Sequence, residues 1–136
     1  MATHCMSFTY EPKILGVING SIRQTIRRRS GTDSTRFSKR KEFGVGDKLI
    51  MHGWEGRPYH TPWSWRIEEV LTGVGVLLLV DEGLFNIRGE FIPWDSEFAD
   101  HLAQRDGIDP PTGFGLKEVL KMHGKDWEGE YYVLRW

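Results

Sequence analysis

The chain has 136 residues and a single cysteine, Cys5. One thiol excludes an internal disulfide and any cysteine-based zinc site within one chain, and it suits a reducing compartment. Long apolar runs are also missing. The longest, VGVLLLV at Val74–Val80, is far short of the ~20 residues needed to cross a bilayer. The start, MATHCMSFTY, lacks the basic residues and apolar stretch of a secretory signal. A cytoplasmic protein with no membrane partner is expected. His4, His52, His60, His101 and His123 are scattered without an i, i+4 pair or close carboxylate spacing, so they predict surface or core roles and no metal. GVGVLLLV lacks the spaced glycines, following helix and acidic partner of a dinucleotide site. No cofactor is implied.

Net charge is small as well, only -1, so the total says nothing about nucleic acid. Its distribution does. Residues 1–80 carry 12 Lys/Arg and 7 Asp/Glu, whereas residues 81–136 carry 6 and 12. A basic half beside an acidic half can present a one-signed face. The basic half is concentrated in GSIRQTIRRRSGTDSTRFSKRKEFGVGD, residues 20–47, where Arg23, Arg27, Arg28, Arg29, Arg36, Lys39, Arg40 and Lys41 face only Asp33, Glu42 and Asp47. Such a run is either a solvated loop or a phosphate site. Serines, glycine and charge over about 30–42 predict a mobile basic loop that closes over a ligand.

With 39% hydrophobic and 12% aromatic residues, the chain can bury one sizeable core, which predicts a single domain over residues 1–136. MSFTYEP reads as a short strand stopped at Pro12, and PKILGVING as a helix with proline in its first turn and Gly20 as C-cap. In RQTIR a period of two puts Arg23, Thr25 and Arg27 on one strand face and Gln24 and Ile26 on the other. Residues 46–54 and 63–80 read as strands, and EGRPYHTP between them as a loop. DSEFADHLAQRDG predicts a helix capped at Asp95 or Ser96, with Phe98 and Leu102 apolar, ending near Asp106. GLKEVLKMHG predicts another helix, and GEYYVLRW a closing strand. Many short strands with few helices predict an α+β fold built on a small curled sheet or barrel.

Aromatic residues crowd HGWEGRPYHTPWSW. Trp54, Tyr59, Trp63 and Trp65 could stack unpaired bases, and Arg57 could hold phosphate, although most tryptophans in a domain this small belong to the core. His52 and His60 flank this loop and would serve a ribonuclease as acid and base if folding brought them together. Glu68 and Glu69 alternate in a strand, so one of them could face a barrel interior.

The run from EPKILGVINGSIRQTIRRR through FGVGDKLIMHGWEGRPY to FADHLAQRDGI and EYYVLRW, roughly residues 6–136, resembles the ASCH domain family, whose fold is related to the PUA domain. The family signature is a glycine, a lysine two residues on, a polar or acidic residue three later, and an arginine two after that. Gly20, Thr25 and Arg27 match it, and Ile22 stands in place of the lysine. The resemblance implies a small PUA-like β-barrel, mixed and mostly antiparallel, with flanking helices. It also implies a protein that binds RNA, another nucleic acid or a modified nucleoside in a basic cleft next to Thr25. Some ASCH members resemble amidohydrolases of N4-acetylcytidine that use a lysine, a threonine and a glutamate; Thr25 and Asp106 fall at two of those positions. Other relatives suggest a small metal-independent ribonuclease. Arg23 cannot replace the missing lysine as a base, because a guanidinium stays protonated. The sequence therefore favours nucleic-acid or nucleotide binding through Arg23, Arg27, Arg28, Arg29, Lys39, Arg40, Lys41, Trp54, Arg57, Tyr59 and Trp63. Catalysis through Thr25 and Asp106 is the alternative, with Lys13 as the nearest lysine in sequence.

Overall fold

A computed structural model describes residues 1–28, 43–122 and 124–136. Arg29, Lys39, Arg40, Lys41, the rest of the predicted basic loop and His123 lie outside the described residues. The fold is α+β. In chain order it runs β1 (Thr3–Ser7), α1 (Glu11–Asn19), β2 (Gln24–Arg28), β3 (Lys48–Trp54), β4 (Trp63–Val70), β5 (Gly73–Val80), β6 (Gly83–Phe85), β7 (Phe91–Pro93), α2 (Glu97–Asp106), α3 (Gly113–Lys121) and β8 (Gly129–Arg135). The strands form a three-stranded sheet, β1-β3-β4, and a five-stranded sheet, β2-β8-β5-β6-β7. Among the described strands only the β1–β3 pair is parallel.

The closing strand explains how the layers stack. β8 alternates its side chains between two cores: Tyr131 and Val133 join Leu77, Leu79, Leu102 and Leu116, while Tyr132 and Leu134 join Met6, Leu49, Met51 and Leu71. The five-stranded sheet is thus covered by α2 and α3 on one face and by the three-stranded sheet on the other. Because both faces are buried, β8 reads as a continuous run of large apolar residues with no polar alternation.

Local chemistry sets the element ends. Pro12 sits in the first turn of α1 and Gly20, with φ 84°, closes it; an L side chain there would be strained. The Ser96 hydroxyl accepts from Ala99 N to cap α2, and Thr112 does the same from Gly115 N for α3. The predicted helices are present at both places. The first strand differs: it occupies Thr3–Ser7 rather than residues 6–12. Its inward positions are His4 and Met6, and a polar residue in a core position hid the alternation. The predicted strand over residues 63–80 is divided. Leu71 exchanges hydrogen bonds with Gly46 and Asp47, and Thr72 N then bonds Arg135 O, so the chain leaves the β3 ladder and joins β8. Phe98, expected on the apolar face of α2, is 47% exposed, whereas Ala99, Leu102, Ala103 and Asp106 are buried. Gly113, whose Cβ would stand 2.7 Å from that of Ala99, draws α3 against the Ala99 face instead. Neither Glu68 nor Glu69 faces a core: Glu68 is exposed on β4 beside Lys48 and Arg66, and Glu69 pairs with Arg23.

Candidate functional site

β2 is an edge strand, and its period of two decides what meets there. Gln24 and Ile26 turn toward α2, where Gln24 Nε2 donates to Leu102 O at 3.1 Å and Ile26 joins the helix-side core. Thr25 and Arg27 turn the other way, toward α1 and the end of β1. Thr25 is buried, at 1% exposure. α1 brings Lys13 to it. Lys13 and Val17 are the buried residues of α1, one turn apart, so a lysine occupies the apolar stripe of an amphipathic helix and its ammonium ends in the interior. Asp106 arrives from the last residue of α2. Behind it Gly107, at φ 74°, turns the chain and leaves space for Ile22 and for the Lys13 stem, whose Cγ stands 3.4 Å from where a Cβ would be.

Lys13 Nζ lies 3.0 Å from Thr25 Oγ1 and 3.1 Å from Asp106 Oδ2, all within the interior. Arg27 Nε donates to Thr25 Oγ1 at 3.2 Å and its guanidinium is anchored by donation to Ser7 O at 2.9 Å. The Phe8 ring lies under both cations, 5.4 Å from Lys13 Nζ and 4.6 Å from Arg27 Cζ. Thr25 Oγ1 therefore sits between one amine and one guanidinium, and the amine is held by a carboxylate.

Burial pushes the Lys13 amine below its ordinary 10.5, and the Arg27 charge adds to this, against the pull of Asp106. Burial likewise pushes Asp106 above the ordinary carboxylate range, against the pull of Lys13, the Gln24 side chain and the Arg27 charge. The helices act in the same sense: Lys13 is in the first turn of α1 and Asp106 ends α2, the helix ends that disfavour a cation and an anion respectively. Asp106 Oδ1 is buried with no well-formed hydrogen bond. Burial opposes the charged form of each group, and a lysine made less basic than usual gives up its proton more readily, leaving an amine that can take a proton from a hydroxyl.

These groups form the polar end of a cavity of about 580 Å³. Ser7, Phe8 and Tyr10, which follow β1, line it together with the apolar side chains of Ile108, Leu116 and Val119. Tyr10 and Asp109 close the rim by a reciprocal pair of hydrogen bonds, 3.3 Å and 3.1 Å. The combination of an apolar wall and a few convergent polar groups is that of a small-molecule site.

The structure brings together Thr25, Arg27, Arg28 and Asp106 of the sequence-predicted residues. Arg28 lines the cavity, donates to Glu128 O at 3.1 Å and lies over the Tyr131 ring. Arg23 is a correction. It precedes β2, donates through Nε to Trp136 O at 2.7 Å and lies 3.8 Å from Glu69 on a different, exposed surface. The chain terminus and Glu69 draw it away from Thr25. Trp54, Tyr59 and Trp63 gather into one aromatic cluster with His52. Arg57 is exposed in the 55–62 loop, where its carbonyl accepts from His60 N and Thr61 Oγ1. His52 is buried in the cluster while His60 is exposed in that loop, so they do not form an acid–base pair in the cleft. Ile22 packs against Gly16, where a Cβ would lie 2.2 Å from Ile22 Cγ1. Lys13, which the sequence offered only as the nearest lysine for a catalytic reading, is brought to Thr25, and its signal was a charge in line with Val17 on the buried face of α1. No known protein family, curated protein or solved structure matches the chain.

Proposed function

We propose that the protein is an ASCH-like amidohydrolase of PUA-like architecture that removes the acyl group from an acylated cytidine, with Thr25 as nucleophile and Lys13 as its base. The observation that carries this reading is the buried contact of Lys13 Nζ with both Thr25 Oγ1, at 3.0 Å, and Asp106 Oδ2, at 3.1 Å. A threonine hydroxyl attacks an amide only when a neighbour takes its proton, and a desolvated lysine is suited to that task. The lysine comes from α1, so the isoleucine at position 22 does not leave the site without a base.

In the reaction the neutral Lys13 amine accepts the Thr25 proton as Oγ1 bonds to the acyl carbon. Arg27 Nε, already directed at Oγ1, favours the loss of that proton, and the negative charge of the addition passes to the former carbonyl oxygen. The carbon–nitrogen bond then breaks, Lys13 returns the proton to the departing exocyclic amine, and cytidine leaves with an acyl-threonine behind it. Water, deprotonated by the same amine, releases the acid and restores Thr25. Asp106 holds Lys13 in place throughout. The cavity's apolar wall receives the base and acyl group.

N4-acetylcytidine incubated with the protein should yield cytidine and acetate, followed by chromatography. Thr25→Ala should lower the rate by at least about a thousandfold. No release of cytidine by the wild type, together with tight binding of nucleotides, would restore the reading as a nucleic-acid-binding module.

A further inference from the structure

Beside the cavity lies a group of rings that the chemistry above does not use. His52 and Trp63 are stacked, with centroids 3.8 Å apart and planes at 14°. Trp54 meets both edge-on, at 5.0 Å and 6.4 Å, and Tyr59 leans on Trp54 at 5.1 Å. The bottom of this stack is buried and its top is open: His52 is 4% exposed, Trp63 40% and Tyr59 82%. A purely structural stack would satisfy its polar edges. Here Trp54 Nε1 is shut off from solvent without a hydrogen bond and the buried His52 ring has only a poorly formed contact with the Gly53 backbone, a state that buried polar groups rarely keep. Tyr59, in addition, is the only non-glycine residue at positive φ (66°) among the described residues. Strained backbone of this kind persists where the surroundings impose it and collects at ligand sites.

The stack neighbours the cavity through the β1–β3 ladder, although none of its rings lines the cavity. His52 pairs with Ser7 across the β1–β3 ladder, and its carbonyl accepts from Phe8 N at 3.0 Å. Ser7 and Phe8 both line the cavity. Arg27, which lines the cavity and donates to Ser7 O, is near enough to both places that its charge adds to the burial that pushes the His52 imidazole below its ordinary range, against a contact from the Gly53 backbone. Two ring-binding places near one guanidinium match two nucleobases joined by a phosphate.

On the strength of the hydrolase reading, we propose that the outer face of Trp63, bordered by Trp54 and Tyr59, is a second subsite that stacks the nucleobase next to the acylated cytidine. The preferred substrate is then a single-stranded oligonucleotide rather than a free nucleoside. Arg27 would face the linking phosphate.

The test compares free N4-acetylcytidine with the trinucleotide that carries it between two uridines. The wild type should show a KM about tenfold or more lower for the trinucleotide. Tyr59→Ala, a change at a highly exposed side chain, and Trp63→Ala should each bring the trinucleotide KM up to the nucleoside's. Equal KM values in the wild type, or a difference that survives both substitutions, would overturn the subsite. A second readout does not depend on turnover: the unacetylated trinucleotide should quench tryptophan emission and bind about tenfold tighter than cytidine, and Tyr59→Ala should remove that advantage. If no acetyl group is released from either substrate, the hydrolase reading fails, and the binding comparison alone upholds or overturns the subsite.

Discussion

Among the described residues two buried acid–base pairs are of nearly equal length, and they behave oppositely. His4 Nε2 donates to Asp47 Oδ2 at 2.9 Å; Lys13 Nζ donates to Asp106 Oδ2 at 3.1 Å. Asp47 also accepts from Ala2 N and Gly44 N, so the bond from His4 and those from the backbone hold its carboxyl down to about 2. Asp106 is held by side chains, Lys13 and more weakly Gln24, has no backbone donor among the described residues and no well-formed bond at Oδ1, and is pushed up by burial. The first carboxylate is saturated and pins the N-terminus and the approach to β3 together. The second is left short of partners beside a hydroxyl. Separation alone does not tell a clamp from a reactive site; the count of satisfied lone pairs does.

The comparison is broken most severely at Lys13. Lys13→Met removes one partner of a buried pair, which should cost about 3–5 kcal/mol of stability and abolish hydrolysis, measured by urea unfolding and cytidine release. Asp106→Asn keeps the shape and removes the negative charge. Because that charge raises the Lys13 pKa, the rising limb of the pH–rate profile should move to lower pH, while the rate falls by about a hundredfold as the amine loses its anchor. Gly16→Ala acts on the packing behind the pair. Its Cβ would stand 2.2 Å from Ile22 Cγ1, so α1 should shift, with a loss of about 1–3 kcal/mol in urea unfolding. The smallest effect belongs to the clamp: Asp47→Asn should leave hydrolysis untouched and lower the melting temperature at pH 7. The Asp47 pKa is depressed in the folded state, so its contribution is complete above about 3.8 and is lost as pH falls toward about 2. Wild type and variant should converge over that interval.

Much of the scaffold was legible, because helix ends and strand periods are local properties. Pro12, Gly20, Ser96 and Gly107 mark α1 and α2, and the period of two in RQTIR separates Thr25 and Arg27 from Gln24 and Ile26 as observed. Arg23 was misplaced because its partners, Trp136 and Glu69, are brought to it only by the tertiary fold. β1 was shifted because His4 occupies a core position that a hydropathy pattern reads as polar. β6 and β7, three residues each, are too short to show a period. Lys13 stands 12 residues from Thr25 and 93 from Asp106; nothing local joins them. A signature that fixes the lysine on the strand before Thr25 finds Ile22 there and misses an amine delivered from the preceding helix.

The most direct test of Lys13 as the base is the pH dependence of kcat/KM for N4-acetylcytidine in the wild type and in Lys13→Arg. An arginine preserves the cation but cannot give up its proton at these pH values. The wild-type rate should rise with the loss of one proton, on a limb that lies below the ordinary lysine value of 10.5. Lys13→Arg should lose about two to four orders of magnitude together with that limb. A Lys13→Arg protein that keeps both the rate and the limb would contradict the assignment and place the base elsewhere.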